Sequence, residues 1–183
     1  MTTTALIVAA GTGQRLGGGL PKQFRALADK PVLRWAVERL GAHPAIGSVR
    51  VVVGQGQQSR AAEALLGLDV GQLIEGGAER SDSVRAGLEA VDGDAILVHD
   101  AARPFCPPAV VDRLLAALEF FDGAAPVLSI SDTLARAGTQ LEDTIARDGL
   151  VPRFDTTAYA RTIAADPLTA KVAPLVSDGI VFA

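Results

Sequence analysis

Three short apolar runs, residues 4–9 (TALIVA), 49–53 (VRVVV) and 94–98 (DAILV), recur between stretches with helical periodicity. Each run is too short for a buried helix and is apolar without alternation, so each reads as a strand covered on both faces. Parallel strands need a crossover connection of a dozen or more residues. The intervening segments supply it. Residues 31–40 carry Val32, Leu33, Ala36, Val37 and Leu40 at helical spacing, with Pro31 in the first turn. Residues 59–66, 81–91 and 108–121 also suit helices, and serines at the start of the 81–91 segment suit capping. Further strands fall at 70–75 and 124–130. The pattern predicts an α/β fold: a Rossmann-like, mostly parallel sheet with right-handed crossovers and helices on both faces. Ligands of such sheets bind beyond the carboxyl ends of the strands. Gly11–Lys22, "GGAERSDS" and "HDAARP" all fall at strand ends, which makes that edge the predicted site.

Residues 131–150 break the pattern. They are polar and turn-rich, and suit an arm or hairpin that leaves the main sheet and packs on a second subunit. The chain of 183 residues is thus expected to form a single domain, 1–183, with 131–150 as a subdomain arm. A net charge of −4 argues against nucleic-acid binding, which favours a basic face. Cys106 is the sole cysteine, which excludes an internal disulfide and fits a cytoplasmic location. The N-terminal apolar run lacks a basic leader and is too short to span a bilayer, so no membrane association is expected.

The stretch "LIVAAGTGQRLGGGLPKQF" (6–24) is a glycine-rich loop after a strand, with one arginine and one lysine. The dinucleotide pattern G-x-G-x-x-G fails at Leu16, and no acidic residue follows the second strand, where Val53 leads to Gly54 and Gln55. The P-loop pattern fails because Lys22 stands between Pro21 and Gln23. What remains is a long loop whose backbone N–H groups form an anion nest, flanked by Arg15 and Lys22. The bland alternative is a solvated loop with two incidental cations.

The same loop resembles the A-A-G-x-G-x-R-[LM]-G-x₃-P-K-Q-[FY] signature of sugar-nucleotide-type nucleotidyltransferases. Its P-K-Q-F ending is most similar to 2-C-methyl-D-erythritol 4-phosphate cytidylyltransferases of the non-mevalonate isoprenoid pathway. "GGAERSDSVRAGL" (76–88), "VHDAARPF" (98–105), "SDTL" (131–134) and "IARDGL" (145–150) resemble later motifs of that family in order and spacing. The resemblance implies a nucleotide-diphospho-sugar transferase type of fold, CTP and methylerythritol phosphate as substrates, and pyrophosphate as the leaving product. It places the triphosphate on the backbone of Ala9, Ala10, Gly11 and Gly13, with Arg15 and Lys22 at the phosphates. Gly76, Gly77, Arg80 and Ser83 match the cytosine and ribose contacts, although Ser83 suits a helix cap equally well. Asp100 suits Mg²⁺ and also matches a contact to the acceptor hydroxyls. Arg103 matches a ligand of the acceptor phosphate. Thr133 and Arg147 match residues that reach a partner's acceptor, which implies a homodimer with the arm completing the neighbouring site. His99 reads as structural.

After Arg147 the resemblance becomes piecemeal. The family's T-P-Q and T-D-D motifs are absent, although "DPLTAKV" resembles its lysine segment and makes Lys171 a further phosphate-binding cation. Two other readings therefore stand beside the first: a related cytidylyltransferase with another acceptor such as ribitol 5-phosphate, and a catalytically inactive nucleotide-binding paralogue. The family also occurs fused to a cyclodiphosphate synthase, whose D-x-H metal motif is not seen here.

Overall fold

The computed structural model describes residues 1–11, 19–126, 134–137 and 141–145, the last two segments as backbone strands. The chain forms two compact units, Met1–Ala109 and Val110–Ala183.

The first unit is built on four parallel strands: β1 (Thr3–Ala9), β4 (Ser48–Val53), β5 (Ile74–Glu75) and β6 (Ala95–Asp100). Their order is β5-β4-β1-β6. β1 is central, with Leu6 opposite Arg50 on one side and Val98 on the other. Leu6, Ile7, Val51, Val52 and Val53 are completely buried, as the unbroken apolar runs predict. The apolar run at 94–98 shows only part of β6, which starts one residue later and continues through His99 to Asp100. Pairing with β1 extends it, because Val8 stands opposite Asp100.

Helices cover both faces of this sheet, and two glycines show how. In helix α1 (Val32–Gly41), a methyl on Gly41 would lie 3.4 Å from Val49. Val49 shares its face with Ala5 and Val51. In helix α3 (Arg80–Glu89), a methyl on Gly87 would meet Leu6 at 2.6 Å and Val52 at 2.8 Å. Those two point to the opposite face. Helix α2 (Gln58–Ala64) ends two residues before the predicted limit. The predicted serine caps of α3 are not used. A capping box between Glu79 and Asp82 starts the helix instead, with the Glu79 N–H donating to Asp82 at 3.1 Å.

A one-turn 3₁₀ segment (Lys22–Phe24) leads into a small hairpin, β2 (Ala26–Leu27) and β3 (Lys30–Pro31). Its turn holds Ala28 at φ 55°, in the left-handed region. The Trp35 indole N–H donates to the Leu27 carbonyl at 2.9 Å, and the Lys30 ammonium lies 4.7 Å from the ring centre. Glu38 joins Lys30 and Arg34, each at 2.8 Å.

Helix α4 (Pro108–Ala117) ends well before the predicted Phe121, and Phe120 and Phe121 are exposed in turns beyond it. No strand forms over residues 124–126, and the rest of the predicted 124–130 strand lies outside the described residues. In the second unit, β7 (Leu134–Ala137) and β8 (Leu141–Ile145) pair antiparallel as a hairpin. No described helix is long and apolar enough to cross a membrane.

Candidate active site

All four strands of the main sheet are parallel, so their carboxyl ends line one edge. The chain runs from β1 outward through β4 to β5, then returns to place β6 on the other side of β1. This reversal creates a switch point between β1 and β6, the place where sheets of this kind bind their ligands. Ala10–Gly11 flanks it on one side and Asp100–Arg103 on the other. Gly76–Gly77 leaves β5 at the same edge.

The first loop is anchored from below. Gln23 is 5% exposed, and its Nε2 donates to the carbonyls of Ala9 at 2.6 Å and Gly11 at 2.8 Å. The Gln57 Oε1 lies 3.3 Å from the same nitrogen. Gly54 makes room for this arrangement, since a methyl there would lie 2.9 Å from the Ala10 oxygen and 3.0 Å from the Gln57 Nε2. Lys22 stands one residue away with its side chain exposed.

The second loop is packed against the first. The Gly76 N–H donates to the Val53 carbonyl at 2.8 Å. A methyl on Gly76 would lie 2.6 Å from the Ser83 hydroxyl and 3.0 Å from the Ala10 Cβ. A methyl on Gly77 would collide with the Asp82 Cβ. Both glycines are therefore required by close approach. Ser83 is 1% exposed, and its hydroxyl is directed at the carbonyls of Glu79 (3.1 Å) and Gly77 (3.4 Å). It shapes the glycine loop from within. Arg80 begins α3 with an exposed side chain.

The third loop carries charge. Asp100 Oδ1 accepts the Ala102 N–H at 3.0 Å, and Oδ2 lies 4.0 Å from the Arg103 Nε. The Ala101 N–H donates to the Val8 carbonyl at 3.1 Å, which ties the turn to β1. His99 donates from Nε2 to the Arg103 carbonyl at 2.8 Å. Burial pushes its pKa below the ordinary imidazole value, against the opposing effect of that hydrogen bond. A neutral ring that braces the arginine turn agrees with the structural reading of His99.

Ala9 and Asp100 thus end β1 and β6, Ala10, Gly11, Gly76, Gly77 and Arg103 lie on the loops that follow strands at this edge, Arg80 and Ser83 are in α3, and Lys22 starts the 3₁₀ segment. Gly13, Arg15, Thr133, Arg147 and Lys171 lie outside the described residues. Gln23, Gln57 and Gly54 were not singled out from the sequence, because a glutamine beside a lysine in a polar loop reads as solvated. Among the described residues no group of three or more His, Cys, Asp or Glu side chains is placed to hold a metal ion.

The sequence profile of a known family, described as IspD: 2-C-methyl-D-erythritol 4-phosphate cytidylyltransferase, matches residues 3–171. The chain belongs to the 2-C-methyl-D-erythritol 4-phosphate cytidylyltransferase family. It is 58% identical over 146 residues to a bifunctional enzyme IspD/IspF of Rhizorhabdus wittichii, covering 80% of this chain and 38% of that protein. The chain thus spans about two fifths of the length of the first such relatives. It is 45% identical to a 2-C-methyl-D-erythritol 4-phosphate cytidylyltransferase of Cereibacter sphaeroides, over 82% of this chain and 69% of the relative. Among solved structures, the 2-C-methyl-D-erythritol 4-phosphate cytidylyltransferase of Thermus thermophilus superposes with a TM-score of 0.66 at 30% identity, covering 97% of this chain and 87% of its own. The matched range includes every described loop at this edge.

Proposed function

We propose that the chain transfers CMP from CTP to 2-C-methyl-D-erythritol 4-phosphate, giving 4-diphosphocytidyl-2-C-methyl-D-erythritol and pyrophosphate in non-mevalonate isoprenoid biosynthesis. The observation that carries this reading is the β1/β6 switch point, with a glycine loop braced by a buried amide on one side and the Asp100–Arg103 turn on the other. The acceptor phosphate is already ionised at neutral pH and attacks the α-phosphorus without a covalent enzyme intermediate. The task left to the protein is to hold two mutually repelling anions in line and to neutralise charge on the transferring phosphoryl group. In this reading the Ala9–Gly13 backbone holds the triphosphate, and Arg15 and Lys22 face its phosphates. Gly76, Gly77, Arg80 and Ser83 form the cytidine pocket, with Ser83 acting through loop shape. Arg103 takes the acceptor phosphate. Lys171 adds a phosphate-binding cation. Thr133 and Arg147 complete the site of the neighbouring subunit in a homodimer.

Asp100 fits an Mg²⁺ ion. One of its carboxylate oxygens accepts the Ala102 N–H, and the other, 4.0 Å from the Arg103 Nε, keeps lone pairs for a metal. Mg²⁺ commonly takes one or two carboxylates and fills its remaining positions with phosphate oxygens and water. When bound, the ion would offset charge on the phosphates.

The test combines the chain, CTP, Mg²⁺ and one acceptor at a time, and follows pyrophosphate release. Release with methylerythritol phosphate is expected. Release only with ribitol 5-phosphate would transfer the assignment to that acceptor, a reading motivated by the absent T-P-Q and T-D-D motifs. CTP binding with no release from any acceptor would identify an inactive paralogue.

A further inference from the structure

We propose that Gln23 is a positioning residue for the reaction: its carboxamide sets the geometry of the phosphate loop and couples that loop to Lys22. The inference rests on the nucleotide-binding reading above and adds to it a residue that makes no contact with substrate.

A primary amide has two N–H donors. In Gln23 both are spent on one short stretch of backbone, the Ala9 carbonyl at 2.6 Å and the Gly11 carbonyl at 2.8 Å. These carbonyls flank Ala10, so the amide spans the point where β1 becomes loop. A trans peptide holds its C=O and N–H on opposite sides. Fixing the Ala9 carbonyl on Gln23 therefore turns the Ala10 N–H away from Gln23. Successive N–H groups aimed to one side are what an anion nest requires. Without the clamp, the same peptides are free to rotate and present carbonyl oxygens to the phosphates.

Two further observations show a built device. Gln57 presents its Oε1 to the same nitrogen at 3.3 Å, and its own backbone N–H donates to the Gly54 carbonyl at 3.0 Å. Gly54 lacks the methyl that would press on both Ala10 and Gln57. Lys22 is the residue immediately before Gln23, so its Cα is held about 3.8 Å from the clamped one. One buried side chain thereby fixes the backbone nest and the root of the cation relative to each other.

The experiment compares wild type with Gln23→Leu and Gln23→Glu in the full chain. It reads CTP affinity by calorimetry, KM for each substrate, and Tm. Gln23→Leu is expected to weaken CTP at least ~10-fold and leave KM for the acceptor within about 2-fold, in line with the sensitivity of positioned groups to small displacements. In Gln23→Glu, the acid can donate to a backbone carbonyl only when protonated. CTP affinity of that variant relative to wild type should therefore recover as pH is lowered, a response that a purely structural role does not produce. Gln23→Leu with CTP affinity within 2-fold of wild type would overturn the proposal, even if Tm falls. So would a pH-independent ratio for Gln23→Glu. Should Gln23→Leu not fold, Gln57→Leu carries the test: about a 3-fold loss of CTP affinity supports the clamp, and unchanged affinity overturns it. The binding comparison decides the clamp whichever acceptor reacts, so a failed turnover assay overturns the reaction assignment alone.

Discussion

Adding one methyl group at Gly76 tests whether the two glycine loops form a single site. The new Cβ would lie 2.6 Å from the Ser83 hydroxyl oxygen and 3.0 Å from both the Ser83 and Ala10 Cβ atoms. Non-bonded carbons prefer about 3.5–4.0 Å, so neighbours must yield by roughly 0.5–1 Å. Rotating Ser83 removes only the hydroxyl contact, because its Cβ is itself too near. Strain of this kind costs about 1–3 kcal/mol. At about 2–4 °C per kcal/mol for a chain of this size, a mid-range penalty lowers Tm by roughly 4–8 °C. The strain falls on Ala10, next to the proposed triphosphate nest, and a displacement near 1 Å can cost up to ~100-fold in rate. Gly76→Ala is therefore expected to lower kcat/KM for CTP by at least ~10-fold in the pyrophosphate assay. The double variant Gly76→Ala, Ser83→Gly removes two of the three close contacts and should recover part of both losses. Wild-type Tm and CTP kinetics in the single variant would refute the reasoning, as would a double variant no better than the single.

Lys22→Ala is expected to cut turnover by about 100-fold, the cost of one transition-state donor, with little change in Tm because the side chain is exposed. A near-normal rate would remove Lys22 from the mechanism. Burial lowers the pKa of His99, so the unfolded chain takes up that proton first as pH falls. The associated stability is full above the ordinary imidazole pKa, declines as pH drops through it, and is lost below the folded pKa. Tm measured from about pH 8 to pH 5 should fall less steeply in His99→Asn than in wild type, and equal slopes would exclude His99 as the source. Ala28→Gly relieves a left-handed residue whose cost is about 1–2 kcal/mol, offset in part by the roughly 0.5–1 kcal/mol of extra backbone entropy that glycine loses, and should raise Tm by about 1–3 °C. A lower Tm would show that the hairpin turn is not strained.

The sheet was legible because its strands are apolar on both faces, and no helical periodicity competes in TALIVA or VRVVV. The ends of elements were less so. β6 runs on through His99 and Asp100 because β1 offers Val8 as a partner, which the polarity of those two residues conceals. Helix α3 starts on a Glu79–Asp82 pair although two serines advertise a cap, because Ser83 is drawn inward by the Gly77 and Glu79 carbonyls. Phe120 and Phe121 continue the apolar content of α4 without belonging to it. The glycines and cations after β1 made that loop stand out as a candidate anion site. The buried role of Gln23 did not stand out, since it depends on carbonyls 12 and 14 residues away along the chain.

The hairpin after Gln23 supplies a natural optical reporter. Trp35 is the sole tryptophan, so the intrinsic emission of the protein at long excitation wavelengths comes from one ring. That ring touches the hairpin twice, through the Leu27 carbonyl at its indole nitrogen and the Lys30 ammonium over its face. Because β2 begins two residues after the 3₁₀ turn that carries Gln23, loosening of this segment changes the local field and solvation of the fluorophore. The state of the loop's foundation can thus be followed in unlabelled protein, in real time and in dilute solution.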